Sequence, residues 1–158
     1  MLTVIKVASY ICQRYKELFG KPIDEMKLHK LLYFVQRESL VQLGEPMFKE
    51  KFQAWRYGPV MVGIRKLFKD GELTDVISEI DLKKYQGVFE KIFSHYAVMD
   101  SWSLSCLTHG ELSWKKARHG IPEEESCTVF LDVEDIKKDA ERIKIRRFLL
   151  KKAITNVQ

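Results

Sequence analysis

The stretch "LSCLTHGELSWKKARHG", residues 104–120, holds Thr108, His109 and Glu111 almost side by side. Enzymes combine these residue types. A histidine steered by a carboxylate can act as a general base, and histidine is a common metal ligand. Each chemistry needs further partners. A metal site of the HExxH kind needs a second histidine four residues on, on the same helix face, and none stands there. No nucleophile elbow and no glycine-rich phosphate loop accompanies the pair. A plainer account is helix closure, with Thr108 or His109 ending a helix and Gly110 as its left-handed terminator. His119 beside Gly120 suits the next helix end, where a cation meets the dipole. The residues therefore predict no catalytic group, no metal ligand and no cofactor.

Two further stretches carry binding chemistry. In "KLHKLLYF", residues 27–34, Lys27 and Lys30 lie one turn apart and Tyr33 one turn beyond. Such a row could take a phosphate or an acidic partner. Spacing alone suits an amphipathic helix whose lysine stems lie along the core and whose amines reach water. His29 reads as half-buried. In "AWRYGP", residues 54–59, Trp55, Arg56 and Tyr57 are the types that dominate binding hot spots. They suit a half-buried aromatic strand equally well.

The elements that would position these groups are mostly helices. Val4, Val7, Ala8, Ile11, Tyr15, Leu18 and Phe19 recur at helical spacing before Gly20 and Pro22. A second helix opens near Pro22 and Asp24, carries Leu28, Leu31, Leu32 and Val35, and stops at Gly44 and Pro46. Residues 47–57 alternate instead, with Phe48, Phe52 and Ala54 on one side and Trp55 and Tyr57 on the other, so a short strand is expected. Pro59 is placed to open a third helix with Val60, Ile64, Leu67 and Phe68, ending at Gly71. A polar connection leads to a helix over about 81–98 with Tyr85, Phe89, Ile92, Phe93 and Tyr96 on one face. The 104–120 stretch forms one or two short helices. A second short strand is expected at 128–131, then a basic helix over about 133–154 with Ile136, Ala140, Ile143 and Leu150 inward. The expected fold is mainly α, one helical domain over 1–158 with a small β element near 48–57 and 128–131.

Composition agrees. The 158 residues are 46% hydrophobic and 11% aromatic, enough for a core without staples. Cys12, Cys106 and Cys127 are odd in number and widely spaced, which fits a reducing cytoplasm. No apolar run approaches a membrane span, and no membrane association is expected. Net charge is +5, with much of the excess in "KKDAERIKIRRFLLKK", residues 137–152. That run reads first as a solvated helix face and second as a nucleic-acid footprint.

Three stretches in order, "KLHKLLYF", "MFKEKFQAWRYGPV" and "LSCLTHGELSWKKAR", resemble the Panacea domain, the family of SocA-like antitoxins and phage-associated proteins. The matching positions run from Lys27, Lys30 and Tyr33 through Phe48, Phe52, Ala54, Trp55, Tyr57, Gly58 and Pro59 to Ser105, Thr108, His109, Glu111 and Trp114, within about residues 3–120. Two departures are mild: His29 stands where the family usually has Gln, and Ser113 where Pro commonly precedes the Trp. The resemblance implies a helical domain that neutralises a cognate toxin by binding it, in one type as an adaptor to an ATP-dependent protease. It implies no catalysis. It points to Lys30, Tyr33, Trp55, Tyr57, His109 and Trp114 as partner-binding residues. A phage or mobile-element regulator that binds nucleic acid is the alternative.

Overall fold

One helix organises the molecule. In the computed structural model, which describes residues 1–157, α2 (Glu25–Leu43) is buried without interruption from Lys27 to Leu40. Most helices of small domains bury one stripe; this one is covered on every side. It starts at Asp24, whose carboxylate accepts the Lys27 N–H at 2.8 Å, and it ends at Gly44 in the left-handed conformation. Around it stand α1 (Val4–Phe19), α5 (Gln86–Lys91), α6 (Ser101–His109) and α8 (Val133–Val157), together with a hairpin of β1 (Gln53–Trp55) and β2 (Gly58–Val60). Completing the chain are α3 (Val62–Asp70), α4 (Glu79–Lys84) and α7 (Leu112–Ala117). The fold is mainly α with a small antiparallel sheet, as expected.

All-round burial overturns one expectation. Lys27 and Lys30 do not reach water. The Lys27 ammonium donates to the Tyr15 hydroxyl at 3.3 Å and the Ala97 carbonyl at 3.2 Å. Lys30 donates to the Pro59 carbonyl at 3.2 Å. A buried cation must find such acceptors, and the neighbouring elements supply them. His29 is buried, not half-buried. Further along α2, Gln36 ties down the chain that leaves the helix, accepting from Met47 N at 2.8 Å and donating to the Phe48 carbonyl at 2.8 Å.

The segment after α2 alternates as expected, with Phe48, Phe52 and Ala54 inward. Its continuation differs. Pro59 does not open a helix; it lies in β2, paired opposite Ala54, and α3 begins three residues later. Arg56 and Tyr57 form a two-residue turn, with Trp55 opposite Gly58. Residues 128–131 lie along the other edge of β1 in a single bridge, Gln53 to Phe130, with Ala54 N on the Val129 carbonyl and Leu131 N on the Phe52 carbonyl.

Two helices depart from their expected form. The 81–98 helix is broken at Tyr85 into α4 and α5, then widens into a π-helical turn over Ile92–Tyr96, where Ala97 N reaches back to the Ile92 carbonyl. That wider turn still puts Tyr85, Phe89, Ile92 and Tyr96 in the core. Gly110 closes α6 with φ −80°, so it is not a left-handed terminator. Leu18 and Leu150, expected inward, are exposed. Among the described residues no helix is long and apolar enough to cross a membrane.

Candidate functional site

The three ordered stretches converge on the hairpin. A hairpin of two three-residue strands is marginal in water on its own. Here its carbonyls are taken by side chains from the other two stretches. Arg118 donates to the Ala54 carbonyl at 2.9 Å, the Trp114 indole to the Trp55 carbonyl at 2.9 Å, and Ser105 to the Tyr57 carbonyl at 2.9 Å. Lys30 holds the Pro59 carbonyl, and Met61 N donates to His29 Nδ1 at 3.3 Å. Each of these protein bonds replaces one to water, so the net gain per bond is modest, about 1 kcal/mol. Together they fix the hairpin's position.

Gly58 shows how close the fit is. Its φ is +110°, and a Cβ there would lie 2.4 Å from Thr108 Oγ1 and 2.8 Å from Lys30 Cε. Only glycine lets the second strand pass between these two side chains. Thr108 is held in turn by its own hydroxyl, which donates to the Ser105 carbonyl at 2.7 Å.

His109 stacks on Trp114, with ring centroids 4.4 Å apart. Burial lowers its pKa, with the Arg56 backbone working against that. His109 and Glu111 share no hydrogen bond, so the acid–base pair that their spacing could have formed is not assembled. Glu111 turns the other way, into a buried polar cluster. Its carboxylate accepts from Arg37 at 2.5 Å and from the Tyr33 hydroxyl at 3.0 Å. Tyr33 also meets Ser113 at 3.0 Å and Asp139 at 3.2 Å. Asp139, from α8, accepts Leu112 N at 2.7 Å and Ser113 N at 2.9 Å, so one helix caps the start of another. Ser113 thus provides a backbone N–H and a hydroxyl that a proline at this position would lack. Burial pushes the Glu111 carboxyl up, Arg37 pulls it down and Asp139 pushes it up again.

Burial lowers the pKa of both Lys30 and His29. That of Lys30 falls from 10.5 to about 7. His29 falls to about 3, through burial first and then through Lys30 and Arg65. A neutral His29 that accepts at Nδ1 carries its proton on Nε2, so its approach to Glu25 at 3.7 Å is not an ion pair. The lysine gives a pH prediction. Between about pH 7 and 10.5 the unfolded chain holds a proton that the folded chain has released. Stability therefore rises with pH in that window and is flat below it as far as Lys30 is concerned. Urea unfolding at pH 7 and 9 should show the rise, and Lys30→Met should remove most of it.

What the clamped hairpin exposes is aromatic and cationic. Tyr57 is 42% exposed and Trp102, from α6, 59%, with their rings 6.0 Å apart. Arg56 lies over the Tyr57 ring at 5.0 Å and Arg65 over Trp55 at 5.1 Å. Beside this tip is a cleft of about 390 Å³ lined by Met26, His29, Lys30, Trp55, Tyr57 and Arg65. Of the six residues expected to touch a partner, Tyr57 is exposed, Trp55 and His109 are half-buried, and Lys30, Tyr33 and Trp114 are buried. Sequence reasoning missed Trp102, a lone ring outside the helical stripe, and Arg118, whose guanidinium also takes the Pro122 and Glu125 carbonyls. Among the described residues no three His, Cys, Asp or Glu side chains come together in a group that could hold a metal.

The helical body thus fixes one hairpin and leaves its tip exposed. The chain belongs to the family described as "Antitoxin SocA-like, Panacea domain", whose model matches residues 28–115. That span starts inside α2, holds the hairpin and α6, and runs into α7. Antitoxin SocA of Caulobacter vibrioides (strain NA1000 / CB15N) is 40% identical over 47 residues, which cover 30% of this chain and 25% of that protein. The match thus spans a quarter of that relative's length. No solved structure matches this chain.

Proposed function

We propose that this protein is an antitoxin that neutralises a cognate toxin by forming a direct complex with it, and that the hairpin tip is the docking face. The family match supports the antitoxin role. The observation that carries the choice of face is the use of three motif stretches to hold one exposed turn. A surface ordered before binding loses less entropy on association than a mobile loop. Tyr57, Trp55 and Trp102 supply large rigid rings, Arg56 and Arg65 supply donors, and the adjoining cleft can take a toxin side chain. Lys30, Tyr33 and Trp114 act through the hairpin and α7 that they position. His109 contributes the edge of its stack.

The test is co-expression with the toxin gene beside it. The wild-type chain should relieve growth arrest and co-purify with the toxin. Tyr57→Ala combined with Trp102→Ala should lose both, with binding weakened by about 2–4 kcal/mol and the thermal midpoint unchanged. Full rescue by that variant rules out the tip as the face. A neighbouring gene harmless when expressed alone contradicts the antitoxin reading. Toxin half-life with and without this chain separates simple blocking from delivery to an ATP-dependent protease.

A further inference from the structure

At its C-terminal end α8 outruns the body it packs on. Its 25 residues span about 37 Å at 1.5 Å per residue. The stripe Ile136, Ala140, Ile143, Leu150 and Ile154 lies on one side, but only Ile136 and Ala140 are buried. Leu150 and Ile154 continue the same stripe into solvent, each more than half exposed. Beyond Glu141 the chain has Arg142, Lys144, Arg146, Arg147, Lys151 and Lys152 and no acidic residue.

Between this end of α8, α6 and the π-helical turn lies a cleft of about 570 Å³. Lys91, His95, Arg142 and Arg146 line it, with Leu107, Ile143 and Leu150 between them. Glu111, the acidic residue in its wall, is already held by Arg37 and Tyr33. Arg37 is 4% exposed and keeps its Nε without a partner. Among the described residues Lys91 and Arg146 form no ion pair. The excess positive charge shows at His95, whose pKa is lowered by burial and then by Lys91 and Arg147, with Glu38 opposing.

We propose that this cleft and the overhanging turns of α8 form a second docking surface, shaped for an acidic amphipathic segment of a partner protein. Its carboxylates meet Lys91 and Arg146, the cations there without an ion pair among the described residues, and its apolar side chains cover Leu107, Ile143 and Leu150. A second copy of this chain docked isologously, with this surface against its own counterpart, would bring the same cations together and repel them. A nucleic-acid backbone matches the charge and leaves the three apolar side chains without a counterpart. The surface is distinct from the hairpin tip and stands whether or not the tip binds a toxin.

The test uses the full chain and a labelled helical peptide with Leu at i, i+3 and i+4 and Glu elsewhere. The comparators are an all-Glu peptide of equal length and a mixed-sequence DNA duplex. The Leu/Glu peptide should bind, and it should slow alkylation of Cys106, an exposed thiol in the cleft wall. Arg146→Glu combined with Leu150→Glu should weaken it about tenfold or more, with the thermal midpoint unchanged because both residues are exposed. Absence of binding, equal binding by the variant, or equal binding of the all-Glu peptide each overturns the proposal. Tighter binding of the duplex, falling steeply with salt, overturns it in favour of a nucleic-acid interface.

Discussion

Glu111→Ala lowers the unfolding free energy by about 3–5 kcal/mol. The carboxylate is buried, and it is the partner of an equally buried Arg37. Removing it leaves a guanidinium in the interior facing only the Tyr96 hydroxyl at 2.6 Å and nearby rings. Desolvating an unpaired charge costs more than the pair contributed. The loss also spreads. Tyr33 and Arg142 both reach Glu111, so the cluster that joins α2, α7 and α8 loses its common acceptor. Glu111→Gln, which keeps the shape and one acceptor, should cost less. Replacing both partners, Arg37→Met with Glu111→Leu, should recover part of the stability. Chemical denaturation of the three variants beside the wild type checks this order. A near-wild-type midpoint for Glu111→Ala contradicts the buried-pair reading.

Gly58→Ala acts on the hairpin and should cost about 3 kcal/mol or more. Two effects add. A side chain at φ +110° is strained by about 1–3 kcal/mol. The new methyl also overlaps Thr108 Oγ1 and Lys30 Cε, and overpacking of this kind costs about 1–3 kcal/mol. Lys30 cannot move aside freely, because its amine is bonded to Pro59 in the same strand. The hairpin must shift away from α2 and α6, and Tyr57 moves with it. Toxin binding should therefore fall further than stability alone explains, measured at a temperature where the variant remains folded. Thr108→Ala on the Gly58→Ala background removes one of the two clashes and should restore part of both.

These two positions differ in how far the sequence discloses them. Gly58 falls in an ordered motif, and the positive φ that favours glycine there is local, whereas the close approach of Thr108 and Lys30 is not. The stops at Gly20, Gly44 and Gly71 were legible for the same reason: a left-handed residue after a helical stripe fixes its own neighbourhood. Glu111 was visible as a carboxylate that could steer His109 and as a motif position, but not as a buried acceptor, because its partners are Arg37, 74 residues away on α2, and Arg142 on α8. Helical periodicity sorts apolar from polar and assumes that the polar side meets water. In α2 that assumption fails, since Lys27, His29, Lys30, Arg37 and Glu38 all find partners inside. The acidic positions of α8 mislead in the same way. Asp135 and Asp139 look like members of a solvated charge pattern and are buried, the first under Lys116 at 3.0 Å, the second capping α7. Pro59 read as a helix start because proline favours that position; the two-residue turn before it, without the usual Asn-Gly signal, decided otherwise.

The proposed docking face was half legible. Trp55 and Tyr57 stand in the motif and are legible as candidates; Trp102 joins them only through the packing of α6 against the hairpin. Lys30, Tyr33 and Trp114, also in the motifs, are buried and bond the hairpin or the start of α7.

Hydrogen–deuterium exchange on the purified complex of this chain with its toxin examines that division of labour most directly. The account predicts new protection at the hairpin turn, residues 55–58, and at the start of α6 around Trp102, with amides of α2 already slow in the free protein. Protection confined to other surfaces, with the turn exchanging as fast in the complex as alone, contradicts it.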